Sequence, residues 1–219
     1  MRFLIPAALA LCMQASASTI LFSDLGTPAS YGNNPSIMRG GNGNSGNEIT
    51  LAREFMVSGA GDFDVTQFDL AAVQNGVNPG TFTVSIWTNS SSLPGTEIGP
   101  SFDLTASPAP NDEHTLVTQS GVTGITLTGG VDYWMVLEPR SLTDNSVVQW
   151  ENNVHGSTSP LVGTNSGTTN WISDGNGANA AFDVLGDPVV SGVPEPGSLI
   201  LLAAGLAALP LVIRRRAHS

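Results

Sequence analysis

The sequence predicts an all-β protein, an antiparallel β-sandwich or jelly roll, and three observations carry that prediction. About ten short apolar segments recur along the central part of the 219-residue chain. Clusters of Gly, Asn, Ser, Asp and Pro separate them, the residues that close turns. Between those clusters no amphipathic helix of useful length appears, and no internal repeat points to a propeller or solenoid.

Taken in order, Thr19 to Phe22 is the first candidate strand. A Gly/Asn-rich loop is expected from Tyr31 to Asn47, including the run Arg39 to Gly46. Ile49 to Val57 and Val65 to Val73 flank a turn at Gly59 to Asp62. Thr81 to Thr88 is the clearest strand: Phe82, Val84 and Ile86 alternate with Thr81, Thr83 and Ser85, the period-two pattern of a half-buried strand. Asn89 to Gly95 closes it as a turn. Further candidates are Glu97 to Leu104, His114 to Gln119, Gly124 to Leu127, Val131 to Glu138 and Val147 to Trp150. Trp171-Ile172 and Ala180 to Leu185 complete the set. On Val131 to Glu138, the residues Val131, Tyr133, Met135 and Leu137 share one face. Asp132, Trp134, Val136 and Glu138 share the other.

The two ends of the chain read as addresses. Met1-Arg2 is a short positive region, and Phe3 to Met13 is an apolar segment of signal-peptide length. Small residues at Ala15 and Ala17 place a cleavage after Ala17, making residues 1–17 a signal peptide. Cys12, the single cysteine, would leave with it, so the mature body, residues 18–190, carries no disulfide. At the other end, residues 191–219 form a tail. Gly197 to Ile213 is an uncharged stretch of 17 residues, about 25 Å long as a helix. A bilayer core is about 30 Å thick, so this is a short transmembrane helix over about 197–213. Arg214, Arg215 and Arg216 follow it as a stop and favour a cytoplasmic end.

The order Val193-Pro194-Glu195-Pro196, apolar run, arginine triplet resembles the PEP-CTERM sorting signal, also labelled the ice-binding protein C-terminal domain. The resemblance implies recognition by an exosortase-type enzyme, with cleavage near Pro194-Glu195-Pro196. It further implies export to the cell envelope, surface or matrix, transient or stable membrane anchoring, and association with exopolysaccharide. Phe82 to Gly95, Tyr133 to Leu137 and Ala181 to Gly186 also resemble the choice-of-anchor β-sandwich domains of bacterial surface proteins. That resemblance implies neither an enzyme nor an established ligand.

Charge narrows the functions open to the body. Between Ser18 and Gly192 only Arg39, Arg53 and Arg140 are basic, against seventeen acids, a net charge of −14. Nucleic acids and anionic membrane surfaces need basic patches, so neither is expected as a partner. The body's histidines, His114 and His155, lie in no nucleophile or zinc context, and Gly43 to Gly46 lacks the last glycine of a nucleophile elbow. No catalytic residue and no cofactor are expected, and the body reads as non-enzymatic, with an unrecognised hydrolase as the remote alternative. Calcium is the remaining ionic candidate: Asp174, Asn176 and Asn179 offer oxygens along a Gly-rich stretch, without the full ligand set of an EF-hand, the alternative being that they close a turn. Trp87, Trp134, Trp150 and Trp171 are candidate stacking faces for carbohydrate, the alternative being that they fill the core.

Overall fold

A computed structural model describes residues 18–25, 31–41, 48–76, 79–108, 116–141, 143, 145–154, 156–165 and 170–189. The signal-peptide and tail expectations lie outside these residues. All regular elements among them are β-strands: β1 (Thr19–Ser23), β2 (Tyr31–Arg39), β3 (Ile49–Met56), β4 (Asp62–Gln74), β5 (Thr81–Asn89), β6 (Pro94–Thr105), β7 (Leu116–Ser120), β8 (Thr126–Thr128), β9 (Asp132–Glu138), β10 (Val147–Asn153), β11 (Thr158–Asn165), β12 (Ile172–Ala178) and β13 (Phe182–Pro188). Every ladder between them is antiparallel.

The strands form one curled sheet in the order β1-β13-β4-β10-β2-β3-β9-β5-β6, an arrangement that fits a β-sandwich. β7 and β8 flank β4, while β11 pairs with β3 and carries β12 on its far edge. The bend is made by β4. Its stretch Phe63–Leu70 pairs with β13, and Ala72 to Gln74 pair with β10, so one strand serves both halves. A bulge helps it do so: Leu185 faces Gln67 but Gly186 faces Val65, so Thr66 is an extra residue. One extra residue reverses the side-chain parity, which puts Phe63 and Val65 on the same core side as Phe68 and Leu70.

The core lies between the two halves. Phe82, Val84 and Ile86 of β5 and Tyr133, Met135 and Leu137 of β9 all enter it, as their alternation predicts. At its centre Phe182 of β13 meets Phe22 of β1 at 4.7 Å, Phe55 of β3 at 5.7 Å and Trp150 of β10 at 5.6 Å between ring centroids. Each fully buried aromatic stabilises the fold by about 1.5–3 kcal/mol of transfer free energy.

Three segments depart from the sequence expectation. The expected loop over Tyr31–Asn47 begins with a nine-residue strand, β2, paired to β10. Its sequence has no apolar alternation, and Met38 is its one fully buried hydrophobe. Between the Trp150–Ser36 and Asn152–Gly32 pairs, β2 carries two residues more than β10, and Pro35, which has no N–H to give a ladder, sits there. The Gly-rich stretch Asp174–Asn179 is likewise extended rather than a ligand loop, since β12 runs through Ala178. Its pairing with β11 steps from Pro160–Asn176 to Val162–Ser173, one extra residue in β12. Gly175, at φ +77°, supplies the left-handed residue that such a bulge uses. Strand β11, unforeseen in sequence, fills the edge between β3 and β12.

Candidate functional site

The sheet has a second buried patch on the face that points away from the core. Along β9 the even residues Trp134 and Val136 turn outward, and they pack with Ala52 of β3 and Val162 of β11. Leu93, Trp87 and Trp171 close over this patch and remain half-buried. Cross-strand register explains the assembly. Trp87 of β5 stands directly opposite Trp134, and Glu54 of β3 stands opposite Trp134 on the other side. Glu97 of β6 is opposite Trp87. Directly opposed residues point to the same side of a sheet, so Glu97, Trp87, Trp134 and Glu54 form one transverse row.

Two contacts fix the exposed rings. Trp87 Nε1 donates to Ser85 Oγ at 2.9 Å, two residues back on the same face. Trp171, at the entry to β12, meets the Trp87 ring edge to face at 6.0 Å and 81°. Beneath them the Trp134 indole N–H is fully buried and has no hydrogen-bond partner among the described residues. An unsatisfied buried donor of this kind costs about 1–3 kcal/mol.

The row is anionic at both ends. Burial raises the Glu54 carboxyl above the usual glutamate range and Asp132 raises it further, while the hydrogen bond from Asn89 Nδ2 works the other way. Farther along the same face, Glu138 is raised by burial first, then by Glu97 and Glu48. Two arginines of the body are engaged elsewhere: Arg53 reaches Ser36 Oγ and Asn152 Oδ1, and Arg140 reaches the Leu104 carbonyl and Asp103.

Three of the four tryptophans named from sequence therefore meet in one cluster. Trp150 does not; it is fully buried on the core side against Phe182. Trp134 is fully buried as well, which leaves Trp87 and Trp171 as the rings with free surface. Glu54, Asn89 and Glu97 carried no sequence signal as site residues, because only strand register brings them to this face.

The calcium candidates separate differently. Asn176 lies exposed on β12, and the Asp174 side chain is outside the described set. Asn179 is buried; its amide donates to Asp24 and accepts from Ser159 Oγ. Ser157 Oγ donates to Asp24 Oδ1 at 2.8 Å and accepts from Asn153 at 2.7 Å, so this network pins the exit of β1 to the β10–β11 turn. Among the described residues no group of three or more His, Cys, Asp or Glu is placed to hold a metal. His114, His155, Ala15, Ala17, Val193, Pro194, Glu195, Pro196 and the arginines at 214–216 lie outside the described residues. No helix among the described residues is long and apolar enough to cross a membrane.

The geometry defines an antiparallel all-β body with an aromatic, acid-rimmed outer face. Residues 192–216, beyond that body, match the PEP-CTERM protein-sorting motif. The match marks an exported, envelope-sorted chain recognised by an exosortase-type enzyme. No curated protein matches the chain.

Proposed function

We propose that this is a non-enzymatic protein of the bacterial surface or extracellular matrix, a β-sandwich body delivered by cleavable signals at both ends. On this reading the signal peptide leaves after Ala17, and the apolar segment 197–213 holds the chain in the membrane. There an exosortase-type enzyme acts near Pro194-Glu195-Pro196. The observation that carries it is the sorting motif at 192–216 directly after the folded body. Intact mass of the protein recovered from its native host tests it. The expected product starts at Ser18 and has lost the residues beyond the Pro-Glu-Pro region; recovery of all 219 residues rules the scheme out. A hydrolase screen on the full chain, with His114→Ala and His155→Ala as controls, tests the non-enzymatic part.

The half-exposed Trp87–Trp171 pair favours a second reading, in which the body binds carbohydrate of the surrounding exopolysaccharide. Indole rings held at the surface by their own contacts offer flat apolar faces to the C–H face of a sugar. A pull-down of host exopolysaccharide by the full chain, lost in Trp171→Ala, is the result this reading requires.

A further inference from the structure

We propose that the Trp87–Trp171 face binds an amine-bearing sugar, a glucosamine-type unit carrying a free ammonium group, rather than a neutral or uronic-acid sugar. The inference rests on the carbohydrate reading and adds the chemical class of the ligand.

Three features of the face converge on it. The aromatic surface is offered by Trp87 and Trp171, one ring fixed by Ser85 and the other by edge-to-face contact. A cation held over an indole face is attracted by the ring quadrupole. Carboxylates stand at both ends of the same row, Glu97 beside Trp87 and Glu54 beside Trp134, with Asp132 close enough to perturb Glu54. An ammonium beside Glu54 and Asp132 answers the repulsion between those two carboxylates. Finally, an anionic sugar would meet the same carboxylates and the body's net charge of −14, so uronates are repelled.

The ligand is expected to lay its apolar face on the Trp171 ring, with Trp87 standing at 81° to that ring, and to turn its ammonium toward Glu54 and Asp132. Asn89 keeps the Glu54 carboxylate in place by donating to Oε1.

The test uses the full chain and three defined probes: a glucosamine hexamer, the N-acetylglucosamine hexamer and a galacturonate oligomer. Binding is read by tryptophan fluorescence and by calorimetry. The glucosamine hexamer is expected to bind at least tenfold tighter than its acetylated form, because acetylation removes the ammonium that pairs with Glu54 and Asp132. The galacturonate oligomer is expected not to bind. The double variant Glu54→Gln, Asp132→Asn keeps the shapes of both side chains and is expected to erase the preference for the free amine. Trp171→Ala is expected to weaken both hexamers, with Trp171→Phe restoring part of the loss. Equal binding of the two hexamers overturns the amine selectivity while the carbohydrate reading stands. Binding of neither hexamer overturns both. Glucosamine binding that survives the double variant and Trp171→Ala is general attraction to an acidic body, and it overturns the site.

Discussion

Replacing Phe182 with alanine tests whether the two halves of the curled sheet are held together at one aromatic centre. Phe182 is fully buried in β13, and its ring lies 4.7 Å from Phe22, 5.7 Å from Phe55 and 5.6 Å from Trp150. Phe22 comes from the same half, Phe55 and Trp150 from the other. Truncating such a residue removes its transfer free energy and leaves a cavity that ladders on both sides prevent from collapsing, a loss of about 3–5 kcal/mol. Against a typical total of about 5–15 kcal/mol this is a large fraction of the stability. For a domain of this size each kcal/mol moves Tm by about 2–4 °C, so the variant should melt about 6–20 °C lower. Phe182→Leu keeps most of the volume and should lose less than half as much. Thermal and urea unfolding, followed by circular dichroism and tryptophan emission, measure both. Exposed Ile20 on β1, mutated to alanine, serves as the control and should change stability by no more than about 0.5 kcal/mol. If Phe182→Ala costs less than about 1 kcal/mol, the halves are not joined as described.

Three other outcomes are expected. Glu48, Glu54, Glu138 and Asp183 are all raised, burial being the first cause in each, so the native state binds protons more readily than the unfolded chain. Stability should therefore rise as pH falls from neutral and level off near the ordinary carboxylate range at about pH 4; a lower Tm at pH 5.5 than at 7.5 contradicts this. Ser91 and Ser92 both have positive φ, 55° and 63°, at the tip of the β5–β6 hairpin. Putting Asn at 91 and Gly at 92, the residues that a type I′ turn favours, should stabilise by about 1 kcal/mol in denaturant melts. Gly99→Ala should destabilise by more than about 2 kcal/mol, because φ there is +68° and a Cβ would stand 2.4 Å from the Gly124 carbonyl oxygen.

What the sequence disclosed followed the strength of its alternation. Phe82, Val84 and Ile86 face the core as read, and so do Tyr133, Met135 and Leu137, because period-two patterns map directly onto a pleated strand. Strand β2 escaped because Gly32, Asn33, Asn34 and Pro35 are turn formers, and pairing with β10 overrides local preference. Stretch Asp174 to Asn179 has the residues of a turn, yet its greater part runs as a strand for a related reason: Gly175 makes a bulge within β12. The outer face was half legible. Asp132 and Trp134 were assigned to one side of β9 from alternation, whereas Glu54 and Glu97 join them only through long-range register. Burial of Trp134 and Trp150 was beyond composition to decide, since an indole suits either a core or a platform.

The pairing of β1 with β13 sets a timetable for the exported chain. Thr19 meets Gly186 and Ile20 meets Leu185, so the first described strand finds its ladder partner some 165 residues later. A chain that emerges N-terminus first keeps β1 waiting, its edge open, until β13 has followed. Closure of so distant a pair carries the largest loop entropy in the fold and comes late. Until then Leu21 and Phe22 lack the cover of Phe182 and Val184, and the emerging body is at its most adhesive just before the sorting signal arrives.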